Sequence, residues 1–182
     1  MKALIIGGAG FVGGYLINEL SSAGAEVHAT CLENETITQS CSVHVLDILD
    51  QKAVEDIINE IAPDVIFHLA AQSSVALSWK RPQLTANINV IGSINVLEAL
   101  KNAEKKDIRI LLIGSGEEYG FIREGACPIN EEEILRPGNI YAACPSTRTS
   151  SASRPSPSAR PASRKAGSSA FRGSFTAPWI PR

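Results

Sequence analysis

Lys2-Ala-Leu-Ile-Ile-Gly7-Gly8-Ala-Gly10-Phe-Val-Gly13 contains the strongest indication of the fold of this chain. Residues 2–7 form a short apolar run that ends in glycines, which is typical of a buried strand in a parallel sheet. Glycines recur at positions 7, 10 and 13, between this strand and a predicted helix. In a dinucleotide-binding loop with this spacing, one glycine makes the tight turn, one lets the pyrophosphate approach the backbone, and one lets helix and strand pack closely. We therefore predict cofactor contacts from five loop residues: Gly7, Gly10, Phe11, Val12 and Gly13.

The helix that follows the glycines is predicted to cover residues 11–23. It would place Val12, Leu16 and Leu20 on one face, and Gly24 would end it. The free N–H groups and the positive end of this helix would hold the phosphates. A purely structural glycine turn is the alternative, and the strand and helix on either side of the loop argue against it.

Strand and helix patterns alternate through the rest of this region. Further strands are predicted at residues 26–31, 42–47, 65–69 and 109–113. A helix capped by Asp50 would bury Val54, Ile57, Ile58 and Ile61. A long helix over residues 84–103 would turn Val90, Ile94 and Leu97 inward. The alternation predicts an α/β fold, a Rossmann-type doubly wound parallel sheet that is incomplete at its C-terminal side.

Composition and spacing argue against several classes of protein. The apolar runs have the length of strands, so no segment is expected to span a membrane, and no signal-peptide pattern opens the chain. The four cysteines show no paired spacing, which favours a reducing, cytoplasmic compartment over a disulfide framework. We also expect no zinc site and no other metal site.

The end of the chain differs from the rest. All 19 acidic residues lie at or before Glu133, whereas seven of the 17 basic residues lie at or after Arg148. Residues 144–182 are rich in Ser, Pro, Ala and Arg and lack apolar periodicity, so we expect an irregular or disordered tail after an NAD(P)-binding domain at residues 1–143. The tail is either native or the product of a shifted reading frame. It lacks lysine clusters and interleaved aromatic residues, so we expect neither nucleic acid nor a membrane as partner.

Two carboxylates are candidates for the adenosine part of the cofactor. Glu33 lies at about the distance from the glycines where an acidic residue binds the ribose of NAD, but just past the second strand, and it could equally be a solvated loop charge. Asp47, after the third strand, is suited to accept a hydrogen bond from the adenine amino group, or it could cap the next helix. The choice between NAD and NADP stays open.

Two further motifs carry a family resemblance. His68-Leu69-Ala70-Ala71-Gln72 follows the fourth strand, and Ser115-Gly116-Glu117-Glu118-Tyr119-Gly120 follows the fifth. With the glycine loop, these motifs resemble the extended short-chain dehydrogenase/reductase family over residues 1–143. Within that family the chain looks most like GDP-4-dehydro-6-deoxy-mannose reductases. GDP-mannose 4,6-dehydratases and sugar-nucleotide epimerases share much of the pattern.

The resemblance implies NAD or NADP as hydride carrier and a nucleotide-linked hexose that reacts at C4, in a protein that is often a homodimer. It also implies further cofactor contacts, from Ile48, Leu69, Ala70, Ala71 and Asn89. Asn89 could equally be a helix-surface amide. Ser74 would contact the substrate or the nicotinamide ribose, or it is a plain loop serine. His68 is interpreted as a core histidine.

The family's catalytic set is a Ser or Thr followed by Tyr-x-x-x-Lys. Ser115 and Tyr141 match the first two members, and Glu117 lies where the dehydratases carry a base. A phenol with a pKa near ~10 is a poor acid/base at neutral pH, and the lysine lowers that pKa. This chain has Pro145 in place of the lysine. We therefore expect little or no turnover from the chain as written, and a non-catalytic NAD(P) sensor is the alternative to a reductase, dehydratase or epimerase.

Overall fold

The computed structural model describes residues 1–122, 127–130 and 133–144. These residues contain one sheet of five parallel strands in the order β3-β2-β1-β4-β5. The strands are β1 Lys2–Ile6, β2 Glu26–Cys31, β3 Ser42–Val45, β4 Val65–His68 and β5 Arg109–Leu112. The predicted Rossmann-type parallel sheet is therefore confirmed. The tail predicted to be irregular lies, from residue 145 on, outside the described residues.

The order of the strands locates a crevice. The chain runs from β1 outward through β2 and β3, then returns to the other side of β1 with β4 and β5. Ile5 of β1 pairs with Ala29 of β2 on one side and with Phe67 of β4 on the other. Ligands of open α/β sheets bind where the strand order reverses, outside the carboxyl ends of the strands. Here that point lies between β1 and β4.

Helices cover both faces of the sheet. They are α1 Phe11–Ser22, α2 Gln51–Ile61, α3 Val75–Lys80, α4 Pro82–Ala86 and α5 Gly92–Asn102. A π-helical turn, Asn87–Ile91, joins α4 to α5, a 3-10 turn covers Gly116–Tyr119, and residues 140–144 are helical. One apolar cluster packs α2 and α5 against the sheet, and a second packs α1 against the opposite face.

Helix α2 forms as predicted. The Asp50 side chain accepts a hydrogen bond from the Ala53 N–H at 3.0 Å, which satisfies one of the unpaired N–H groups of the first turn. The four residues predicted to share one face are all buried: Val54, Ile57, Ile58 and Ile61.

Several predicted boundaries were one or two residues too long. Helix α1 ends at Ser22, and Gly24 follows at φ +78°, a conformation that ends helices. Strands β3, β4 and β5 end at Val45, His68 and Leu112. For β4 the physical reason is visible, because the N–H groups of Leu69 and Ala70 both converge on the Ile6 carbonyl and leave the regular ladder.

The faces predicted for α1 and α5 were partly wrong. Val12 is 58% exposed, and the buried residues of α1 are Gly13 and Ile17, because Gly13 packs directly onto the glycine loop. Leu16 and Leu20 do pack, half-buried, against the second cluster.

The long helix predicted over residues 84–103 is instead three segments, and its inward face is different. Ile94 is exposed, and Val90 and Leu97 are half-buried. Polar residues take the inward positions because hydrogen bonds to the β4 region hold them there. The buried residues here include Asn89, Ser93, Val96 and Ala99.

Candidate cofactor-binding site

The glycine loop joins β1 to α1 at the crevice. Gly7 has φ +88°, and a Cβ built there would lie 2.6 Å from the Ala70 nitrogen. Its N–H donates to Thr30 Oγ1 at 3.1 Å, and the Gly8 N–H donates to the Thr30 carbonyl at 2.7 Å. Residues 69–74 form the loop after β4, called the β4 loop below. Only glycine fits at position 7, since both the backbone conformation and the contact with Ala70 of the β4 loop exclude a side chain.

The two later glycines differ in their surroundings. A Cβ at Gly13 would lie 2.2 Å from the Gly8 carbonyl oxygen, so the helix rests directly on the loop backbone. A Cβ at Gly10 would meet nothing nearer than the Gly7 oxygen at 3.6 Å. Gly10 is exposed and begins α1 without a side-chain cap. The turn and the close packing lie at Gly7 and Gly13, and the pyrophosphate contact of Gly10 stays a prediction.

The first turn of α1 presents apolar side chains to solvent. Phe11 is 82% exposed and contacts Tyr15 edge-to-face, with ring centroids 5.3 Å apart. Val12 is also exposed. Contacts from Phe11 and Val12 to a phosphate would therefore use their backbone N–H groups, which lie in the first turn of the helix.

On the β2–β3 side, the two candidate carboxylates are both exposed. Glu33 lies in the turn after β2. Asp47 Oδ1 accepts from the Leu49 N–H at 2.9 Å, and Asp50 caps α2, so the alternative of Asp47 as helix cap is wrong. Ile48 is buried, and its carbonyl accepts from Asn95 Nδ2 at 2.9 Å. A cofactor contact of Ile48 would use its backbone.

The loop after β4 forms the opposite wall of the crevice. Leu69 and Ala70 are half-buried and Ala71 is exposed. Asn89 is 1% exposed, so the alternative of a helix-surface amide is wrong. Its carboxamide accepts from the Gln72 N–H at 2.7 Å and donates to the Gln72 carbonyl at 2.9 Å. Asn89 thus holds the loop that carries the three predicted contacts.

Two other polar residues near β4 have defined structural partners. Ser74 is exposed and caps α3, accepting from the Leu77 N–H at 3.2 Å. His68 is completely buried, with Nε2 2.9 Å from Ser93 Oγ, which makes it a core histidine as predicted.

Ser115 begins the 3-10 turn after β5. Its Oγ accepts from the Glu117 N–H at 3.2 Å, and Glu118 Oε1 accepts from the Ser115 N–H at 2.7 Å. This reciprocal capping box orients the serine. Glu118 is buried, and the sequence analysis assigns it no role. The spacing Ser-x-x-Glu, which is typical of a capping box, could have predicted its contact with Ser115.

A later segment lies against this turn. The Arg136 N–H donates to the Glu118 carbonyl at 2.9 Å, and a Cβ on Gly120 would lie 1.9 Å from the Arg136 oxygen. Glu117 Oε2 lies 3.5 Å from Asn139 Nδ2, and Asn139 caps the helical residues 140–144, which carry half-buried Tyr141. Ser115, Glu117 and Tyr141 therefore belong to one unit at the end of β5.

The geometry combines a glycine loop at the strand-order reversal with a Ser-Glu turn and a tyrosine-bearing helix. The sequence profile of the family described as GDP-mannose 4,6 dehydratase matches residues 4–147. The chain belongs to this family.

Individual relatives agree with the family. The chain is 40% identical over 99 residues to GDP-6-deoxy-D-mannose reductase of Pseudomonas aeruginosa, covering 54% of this chain and 32% of the relative. The structure of Thermus thermophilus UDP-glucose 4-epimerase in complex with NAD superposes with a TM-score of 0.78 at 29% identity, over 84% of this chain and 50% of that one. For RMD from Pseudomonas aeruginosa complexed with NADPH the TM-score is 0.67 at 32% identity, over 82% and 46%. The chain thus spans half or less of the length of these relatives.

Other features of the described part of the chain lie outside the crevice. A cavity of about 200 Å³ follows β5, and no residue of the glycine loop lines it. Within the described residues we find no helix with the length and apolar character of a membrane span, and no group of three metal-ligating side chains. The four cysteines all lie in the described part, and none forms a disulfide.

Proposed function

We propose that this chain is the NAD(P)-binding part of an oxidoreductase that acts at C4 of a nucleotide-linked sugar. The observation that carries the proposal is the exposed start of α1 at Gly10, which has no side-chain cap and where a Cβ would meet no atom nearer than 3.6 Å. The backbone N–H groups and the positive end of α1 suit a pyrophosphate there. A cofactor of this shape fits the residues present.

The residues proposed to hold the cofactor lie on both sides of the start of α1. The backbone N–H groups of Phe11 and Val12, beside the exposed Gly10 backbone, would hold the pyrophosphate, and Glu33 and Asp47 on the β2–β3 side would hold the adenosine. The β4 loop lies on the other side, where the nicotinamide half would be seated. When bound, the nicotinamide supplies hydride transfer.

The proposed roles at the substrate side follow from side-chain chemistry. The Ser115 hydroxyl would hold the sugar oxygen, Tyr141 would exchange a proton with that oxygen, and Glu117 is a carboxylate at the same turn. Ser74 would contact the substrate. Pro145 stands four residues after Tyr141, where the family carries its lysine, so the lysine's contribution to proton transfer is missing and we expect slow turnover.

Among the family's activities we favour a reductase of a GDP-4-dehydro-6-deoxy sugar, because the similarity to the Pseudomonas aeruginosa reductase reaches 40% identity. A 4,6-dehydratase or an epimerase is the second candidate, and Glu117 suits a dehydratase base. A non-catalytic NAD(P) sensor is the third, and Pro145 favours it.

The remaining proposals concern organisation. Ile91 and Ile94, exposed on the helical segment after β4, would pack in a homodimer. Four cysteines without disulfides suit the cytoplasm.

We keep residues 1–143 as the NAD(P)-binding domain and 144–182 as a tail. Sequencing codons 140–150 tests the frame-shift origin of that tail: another frame that restores a lysine four residues after Tyr141 supports it, and its absence from every frame contradicts it.

The function is tested by isothermal titration of the 182-residue chain with NADH and NADPH, followed by a hydride-transfer assay with a GDP-4-dehydro-6-deoxy sugar. We expect saturable binding of one dinucleotide and no steady turnover. Absence of binding to both dinucleotides would contradict the proposal. Steady oxidation at a normal enzymatic rate would contradict the inactivity assigned to Pro145, and hydride retained through a whole turnover would favour the epimerase or dehydratase.

A further inference from the structure

Gln72 is held by more hydrogen bonds than any other residue of the loop after β4. Its N–H and carbonyl both pair with Asn89, at 2.7 and 2.9 Å. Its side-chain Nε2 donates to Thr85 Oγ1 at 2.8 Å and to the Ser74 carbonyl at 3.1 Å. Its Oε1 accepts from the Ser74 N–H at 2.5 Å. Backbone and side chain of Gln72 are therefore both locked.

Two of the three partners of Gln72 are themselves buried. Asn89 and Thr85 are 1% and 0% exposed. Asn89 lies in the middle of the π-helical turn Asn87–Ile91, and such turns inside helices are frequent at functional sites. An apolar side chain could fill either buried position, so these polar groups specify the position of the loop and do more than fill space.

These hydrogen bonds specify the position of the β4 loop, which forms one wall of the crevice. On one side of Gln72, Ala70 touches the Gly7 turn and bonds to the Ile6 carbonyl. On the other side, Ser74 begins α3. A dinucleotide that crosses the strand-order reversal at the glycine loop has one half toward β2 and the other toward β4. The β4 loop therefore meets the half that is not adenosine.

We propose that Gln72, Asn89 and Thr85 are positioning residues that hold the β4 loop against the nicotinamide half of the dinucleotide. Asn89 acts through Gln72 and does not itself touch the cofactor. This inference rests on the proposed NAD(P) binding and deepens it. It assigns to these three residues the part of the dinucleotide affinity that exceeds the affinity for ADP.

The test compares two ligands by isothermal titration: ADP, and whichever of NADH or NADPH the wild-type chain binds more tightly. Asn89→Asp keeps the acceptor for the Gln72 N–H but sets a carboxylate against the Gln72 carbonyl, and Thr85→Val removes the acceptor for Nε2. We expect dinucleotide affinity to fall about three- to tenfold, as for the loss of one hydrogen bond, with ADP affinity within about twofold of wild type.

Two matched variants serve as controls. Thr85→Ser keeps the hydroxyl that Thr85→Val removes, so it should bind the dinucleotide with wild-type affinity. Asn95→Asp changes another buried amide of the same helical region, which donates to the Ile48 carbonyl on the β3 side and not to the β4 loop. It should leave the ratio of the two affinities at the wild-type value. The ratio is a readout that simple destabilisation of the fold does not move.

The outcomes separate the two proposals. A wild-type chain that binds neither ligand contradicts the proposed function and this inference with it. A wild-type chain that binds both, with the same affinity ratio in Asn89→Asp and Thr85→Val even where their Tm falls, contradicts this inference alone. A ratio lowered in those two variants and unchanged in Thr85→Ser and Asn95→Asp supports it.

Discussion

Replacing Gly10 and Gly13 by alanine, one at a time, should separate an effect on binding from an effect on folding. At Gly13 the added Cβ meets the Gly8 carbonyl oxygen at 2.2 Å, far inside normal contact, and the obstacle is backbone that a rotamer change cannot remove. Overpacking of this kind costs about 1–3 kcal/mol, and we take ~3 because backbone must move. Alanine regains about 1 kcal/mol of helix propensity. The net loss is about 2 kcal/mol, or roughly 4–8 °C in Tm.

At Gly10 the same methyl group has a different result. The residue has φ −70°, which alanine adopts, and the nearest atom is 3.6 Å away. A poorer N-cap costs about 0.5–1 kcal/mol, and the stiffer unfolded chain returns a similar amount, so stability stays close to wild type. The methyl group blocks the approach of a pyrophosphate to the backbone. Loss of a hydrogen bond to a charged group, about 1.5–3 kcal/mol, corresponds to a roughly ten- to hundredfold weaker affinity.

The assay is thermal unfolding followed by calorimetric titration with NADH or NADPH. Gly24→Ala is the control, because it has φ +78° with nothing within 4 Å and lies at the opposite end of α1 from the loop. It should lose about 1 kcal/mol to strain and bind like wild type. Wild-type affinity in Gly10→Ala, or wild-type Tm in Gly13→Ala, would refute the reasoning about the loop.

Substitutions at three further positions test the fold. Asp50→Ala should lower the free energy of unfolding by about 1 kcal/mol in urea titrations, since the Ala53 N–H loses its cap, and Asp50→Ser should retain most of it. Ile58→Ala should cost about 2–5 kcal/mol and Ile58→Val about 0.5–1.5, and equal losses would contradict its place in the core. Lys105 and the Lys2 N–H hold the pKa of Asp64 at about 2 instead of 3.8, so its ionised form stabilises the fold above pH ~4 and that contribution is lost as the pH falls toward 2. Asp64→Asn should therefore unfold less steeply with acid over this range, and an unchanged acid profile would count against the interaction.

Elements with strong local signals could be predicted without the structure. The pattern of α2, with Asp50 before it and four isoleucine and valine residues on one face, needs no knowledge of the rest of the chain, because helical period and cap are local properties. The parallel sheet followed from apolar strands that alternate with helices. Strand ends such as those of Val45 and His68 were placed one or two residues late, because the last ladder bond depends on the neighbouring strand.

Long-range packing and hydrogen bonds determine which face of the segment after β4 is buried and how the β4 loop is held. Periodicity favoured Val90, Ile94 and Leu97, since apolar residues are expected inside. The buried Asn89 carboxamide finds both of its partners on Gln72, and Ser93 Oγ, which donates to the Asn89 carbonyl within the helix, also lies 2.9 Å from His68 Nε2. Those partners are 17 and 25 residues away in sequence. A buried polar group is stable only with its partner, and the identity of a distant partner is set by the fold and cannot be found in a local pattern.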